Sequence, residues 1–245
     1  MWDLRDVAII FSTELGRSVR SGKTFALLAL YGLAAALASL VVVGLTRTAP
    51  LLLPFFVRFA LFFMPPLVAV MGFDQLAGEL QHRSLRYVAL RARRGAIVAG
   101  KALAQLALVM ALTATVHLAL FAWAVATSAD FDAAAAVGEM LAFWGVALVY
   151  AFCFVGLTAL ASSLFRAPIV ALIATLCAIF GFWFVDVLAR FVEALAPVAK
   201  LSPSHYTAGL VGAPAAQLVT SLLAFVAFGA VFLGGAWLSL RLRDL

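Results

Sequence analysis

Six apolar runs, at 24–45, 51–73, 102–127, 140–164, 168–187 and 217–240, constrain this chain more than any other feature. Each supplies the roughly 20 residues that an α-helix needs to cross the hydrocarbon of a bilayer. In that solvent every backbone N–H and C=O has to be paired within its own segment, which leaves each run a helix. The residues around the runs cannot form a water-soluble shell, since only 11% of the chain is charged, against about a quarter in a soluble domain. The sequence predicts an all-α polytopic membrane protein with six transmembrane helices, a single transmembrane domain over 1–245.

Residues 1–22 precede the first run and are interrupted by Asp3, Arg5, Asp6, Glu14, Arg17 and Arg20. Leu4, Val7, Phe11, Leu15 and Val19 recur at three- and four-residue steps, which places them on one helical stripe. This predicts an N-terminal interfacial amphipathic helix with Trp2 at headgroup level. Ala36, Leu37 and Ala38 resemble a signal-peptide cleavage site. The apolar stretch continues through Val41, Val42 and Val43, too long for a signal core, and is read as the first span. Pro168 suits the first turn of the fifth span, whereas Pro65 and Pro66 are expected to break or kink the second. The segment 189–216 is punctuated by prolines and glycines, and Phe191, Val192 and Leu195 there are expected to form a short helix dipping into the outer leaflet.

Orientation follows from the basic residues. With the N-terminus inside, thirteen of the 17 Lys and Arg fall on the cytoplasmic side, six of them in the segment 74–101, while Arg47, Arg190 and Lys200 fall outside. That bias predicts cytoplasmic N and C termini. It also accounts for the net charge of +6 with no nucleic-acid partner, the bilayer being the partner of the basic segments. Arg58 is the charge left inside a span. It is read either as a residue of the translocation path, attracting an anionic head group, or as a side chain snorkelling to the interface.

Two stretches mimic a phosphate-binding loop: GRSVRSGKT from Gly16 to Thr24 and GAIVAGKA from Gly95 to Ala102. The first has one residue too many between its glycines, the second places Ala102 where a hydroxyl must hold magnesium, and neither follows a strand. No cofactor is expected on this chain. Cys153 and Cys177 are read as buried small hydrophobes, and His82, His117 and His205 are too scattered for a metal site. No nucleophile elbow, no zinc-protease motif and no carboxylate pair inside a span is present, so the chain is expected to be non-catalytic.

Between the second and third spans the sequence reads GFDQLAGELQHRSLRYVALRARRGAIVAGKALAQL. Asp74, Glu79, Ser84 with Leu85, Arg94, and Gly100 with Lys101 follow one another in an order that resembles the permease subunits of type 2 ATP-binding-cassette (ABC) exporters. The resemblance extends to the N-terminal helix, to ALASSLFRAPIVA between spans four and five and to LSPSHY before span six. Arg83 stands where that family often has Gly, and Ala92 and Arg93 where Pro is common. The resemblance implies a bacterial cytoplasmic-membrane exporter subunit of unidentified cargo. It pairs with a second permease copy, identical or similar, and with a cytoplasmic ABC ATPase that carries the ATP and Mg. The segment 74–101 would be the ATPase-coupling element. Independently, Leu76, Leu80 and Tyr87 fall on one helical stripe bordered by Glu79, Arg83 and Arg86, a face suited to a protein groove. The alternatives are a secondary transporter or channel working without an ATPase, and an intramembrane enzyme, which would need converging polar side chains that the spans do not offer.

Overall fold

The computed structural model describes residues 4–46, 52–82, 92–127 and 131–243. Its helices are α1 (Leu4–Val19), α2 (Gly22–Thr46), α3 (Leu52–Gly72), α4 (Ala77–Gln81), α5 (Arg94–Thr127), α6 (Ala133–Leu164), α7 (Pro168–Ala189), α8 (Ala196–Ala199) and α9 (Ala215–Leu242). Two 3₁₀ segments, Glu193–Leu195 and Pro203–Leu210, lie between α7 and α9. Among the described residues there is no strand. Five helices, α3, α5, α6, α7 and α9, are long and apolar enough to cross a membrane. That is one fewer than the six apolar runs predict. The difference lies in α2, whose described apolar stretch covers only Gly22–Leu37.

The core is built by α3, α5 and α6, with Phe56, Met64, Val109, Tyr150 and Phe154 buried among them. The helix α9 lies along α6, and the two come close at Gly156 and Gly229. A Cβ on Gly156 would sit 2.8 Å from the Gly229 carbonyl oxygen, so the missing side chain is what lets the backbones meet. Much of α7 and α9 faces outward, with Phe180, Phe184, Leu223 and Val231 exposed. In a bilayer those side chains meet lipid tails as apolar as themselves.

Several boundaries depart from the sequence expectation for one reason. Apolarity marks where hydrocarbon begins, whereas backbone hydrogen bonding carries a helix on into polar residues. Thus α5 starts at Arg94, within the expected coupling segment and ahead of the span expected from 102, and α6 starts at Ala133, where Asp132 caps it by accepting from the N–H groups of Ala134 and Ala135. Pro65 and Pro66 do not break α3, which runs through both. Pro65 has no N–H for the Leu61 carbonyl, and the Tyr150 hydroxyl donates to that oxygen instead at 2.9 Å. Cys177 is exposed on α7 rather than buried, whereas Cys153 is buried in the core. The short helices after α7 begin at Glu193, and Phe191 lies ahead of them, exposed.

Candidate functional site

One end of the bundle gathers the ends of most helices, and its polar side chains pair across them rather than facing outward. The inward face of α1 carries Val7, Ile10, Phe11, Glu14, Leu15 and Ser18, half-buried against α5, while Leu4 and Val19, expected on the same stripe, are exposed. The contact depends on Gly100, because a Cβ there would lie 2.8 Å from the Ile10 Cβ. With α1 seated that closely, the next residue on α5, Lys101, reaches Glu14.

Lys101 is 3% exposed, and its ammonium group lies 2.5 Å from Glu14 Oε1 and 2.8 Å from Glu79 Oε1. Three elements distant in sequence, α1, α4 and α5, therefore meet at one buried cation. Burial of a charge is tolerated when it is paired and hydrogen-bonded, and here two carboxylates meet that condition. Arg17 pairs with the other oxygen of Glu14 at 3.1 Å and so continues the network to the surface.

The turn between α3 and α4 is held by Ser162 of α6. Its hydroxyl donates to the Phe73 carbonyl at 2.9 Å and accepts from the N–H groups of Leu76 (3.0 Å) and Ala77 (2.9 Å). One side chain thus satisfies the last turn of one helix and the first turn of the next, groups that helix termini leave unpaired. Lys23, in the first turn of α2, donates to the Met71 carbonyl, pairs with Asp74 Oδ1 at 3.2 Å and sits 4.4 Å from the centre of the Phe73 ring. Arg94 donates from Nη1 to the carbonyls of Leu240 (2.8 Å), Arg241 (2.7 Å) and Arg243 (3.2 Å), closing the C-terminus of α9. Arg243 donates in turn to the Leu164 carbonyl at the end of α6. Burial and the neighbouring Arg166 both draw the Arg243 pKa down from its ordinary value.

The expected coupling residues therefore divide. Asp74, Glu79, Arg94 and Lys101 are brought together as parts of this girdle. Leu76 is 1% exposed and packs with Ile97, Val98 and Leu240, and Leu80 lies against the same cluster, so both serve the chain's own packing. Arg83, Ser84, Leu85 and Tyr87 lie outside the described residues. Before them the chain turns outward, with Gln81 and His82 exposed. Glu14, Lys23 and Ser162 are not among the expected site residues. For Glu14 the signal is present as an acid in the middle of an apolar helix face, whereas nothing in the sequence ties Ser162 to residues some eighty positions earlier.

Arg58 lies far from the girdle, near the opposite end of α3. It is exposed at the edge of a cleft of about 350 Å³ lined by Leu61, Phe62, Tyr150, Trp183 and Thr207. The two phosphate-loop mimics do not fit a nucleotide. Gly95–Ala102 is helical throughout, and in Gly16–Thr24 the N–H groups of Ser21 and Thr24 are engaged by the carbonyls of Ser18 and Ser21. Neither offers a free backbone cradle for phosphate.

No curated protein matches the sequence. The sequence pattern of the ABC-2 family transporter proteins matches residues 8–200, a span that takes in most of α1, the helices α2 to α8 and the Lys101 triad. With that match, the apolar helices and the polar closure at one end, the chain belongs to the ABC-2 family of membrane transporter proteins.

Proposed function

We propose that the chain is the transmembrane permease subunit of an ABC exporter, with α2 completing six spans and the girdle at the cytoplasmic end together with both termini. As a member of its family it is a multi-pass protein of the cytoplasmic membrane and a transport component. ATP and Mg are bound by a separate cytoplasmic ATPase, and hydrolysis there rocks two permease copies, identical or similar, between inward-facing and outward-facing states. The carrying observation is the locked base of the coupling segment: Ser162 and Lys101 fasten the α3–α4 turn and α4 to α6, α1 and α5. A push on the segment beyond His82 is then passed to several spans at once, because the elements it meets move as one packed unit.

The docking surface narrows accordingly. Leu76 and Leu80 support α4 from within, Gln81 and His82 are exposed, and we place the ATPase contact there and on the sequence that follows, with Leu85 and Tyr87 as its apolar residues. Replacing Leu85 and Tyr87 with Asp leaves the Lys and Arg count that sets topology unchanged while placing charge against the partner's groove. The doubly substituted permease is expected to insert in the membrane normally and to lose co-purification with the ABC ATPase that co-purifies with the wild-type protein. Co-purification at the wild-type level would remove the docking assignment.

A further inference from the structure

At one corner of the girdle the chain gathers more positive charge than its described residues balance. There α6 ends, residues 165–167 lead into α7, and the C-terminus of α9 closes against the start of α5. Arg94 donates to the last carbonyls of α9, and Arg243 reaches from beyond α9 to the Leu164 carbonyl at the end of α6. Arg166 lies two residues past that carbonyl, exposed, and its charge is felt at the Arg243 guanidinium. Arg241, exposed as well, sits 5.4 Å from the centre of the Trp237 ring. Among the described residues no carboxylate pairs with Arg166, Arg241 or Arg243, and Asp244 lies outside them. The C-terminal ends of α6 and α9 each carry roughly half a negative charge, which against four guanidinium groups leaves the corner strongly positive.

The same corner borders exposed apolar surface. Leu164, Ile169 and Leu242, close in sequence to Arg166 and Arg243, are all exposed, and Leu238 and Trp237 continue that surface along α9. A tryptophan at the end of a span marks the level of the headgroups. We propose that this corner binds one anionic phospholipid, its phosphate at Arg166 and its acyl chains along the exposed apolar residues of α7 and α9. Arg243 contributes charge rather than a contact, because its guanidinium is engaged at Leu164 and its Nη1 is enclosed. An acidic protein surface would match the charge and leave the apolar border uncovered, whereas a zwitterionic lipid would cover the border and bring a cation of its own to the arginines. Binding requires neither ATPase nor ATP. The exporter reading supplies only the leaflet, the cytoplasmic one, so its failure would leave the binding result standing.

The test counts lipids by native mass spectrometry on the full-length permease, purified in detergent without an ATPase and equilibrated with equal amounts of phosphatidylglycerol and phosphatidylcholine of the same acyl chains. One phosphatidylglycerol is expected to be retained in preference to phosphatidylcholine by about tenfold or more, as several arginines near one phosphate allow. Arg166→Gln, at an exposed position between helices, should cut that preference about fivefold, the effect of one basic residue near an anionic headgroup. Arg166→Lys should keep most of it. Arg20→Gln, which removes an exposed arginine elsewhere on the girdle end, should leave it unchanged. Equal retention of the two lipids by the wild-type protein would overturn the proposal. So would equal losses in the Arg20→Gln and Arg166→Gln proteins, which diffuse attraction to a basic surface would give, or displacement of the bound lipid by equimolar inorganic phosphate. The wild-type headgroup comparison needs no variant to fold.

Discussion

Two carboxylates drawn together out of water around one lysine are stable only while the cation stays between them. Lys101→Met leaves Glu14 and Glu79 facing one another, 15% and 16% exposed, with no cation between them. Breaking a buried ion pair from one side costs about 3–5 kcal/mol, so this variant should show a marked loss of thermal stability in detergent. Glu14→Gln or Glu79→Gln alone should lose less, because Lys101 keeps one carboxylate. Adding both to Lys101→Met should restore much of the loss, since the repulsion is then gone. Unfolding of Lys101→Met at the wild-type temperature would show that the triad adds nothing to stability. At this scale the sequence shows Gly100 and Lys101 as a pair worth marking, and the structure supplies the reason: the glycine admits α1 and the lysine fastens it. The partnership with Glu14, 87 positions away, is not legible, because sequence carries periodicity along a helix and no information about which helix lies against it.

At the scale of elements, close backbone approach does what side-chain interdigitation does elsewhere. Gly156→Val would drive a branched side chain into the Gly229 carbonyl and the Phe232 Cβ, 3.2 Å from an added Cβ. Overpacking of this kind costs about 1–3 kcal/mol. The expected result is a lower unfolding temperature for Gly156→Val, and a smaller loss for Gly145→Val on the same helix, where an added Cβ meets nothing within 4 Å. Equal losses would mean that the α6–α9 approach is not the sensitive contact. The spans after the first are legible as elements because about 20 apolar residues in bilayer admit only a helix. Their ends are not: Arg94 and Ala133 begin helices in polar surroundings, where hydrogen bonding and a cap decide the boundary. Likewise, α3 continues through Pro65 because Tyr150, from another helix, takes up the carbonyl that the proline leaves free.

For the whole molecule, the distribution of basic residues sets the expected orientation, and the structure identifies positions exposed enough to report it. Single cysteines in a background of Cys153→Ala and Cys177→Ala should react with an impermeant maleimide from outside at Leu201, which is 74% exposed. At His82 they should react only after the membrane is permeabilised. Labelling of His82 from outside would invert the topology. The outward apolar faces of α7 and α9 leave surface for lipid, and the girdle ties the ends of the helices together at the face proposed to meet the ATPase. In the proposed exporter the helices so tied are moved by ATP hydrolysis in a partner. The most direct measurement is the distance between spin labels at His82→Cys in the two copies of the purified complex with its ATPase, in nanodiscs, first with ADP and then trapped with ATP and vanadate. Two distributions displaced by several ångström are expected, with no displacement when the same nucleotides are added to the permease without its ATPase. The same distribution in both nucleotide states would contradict the exporter reading.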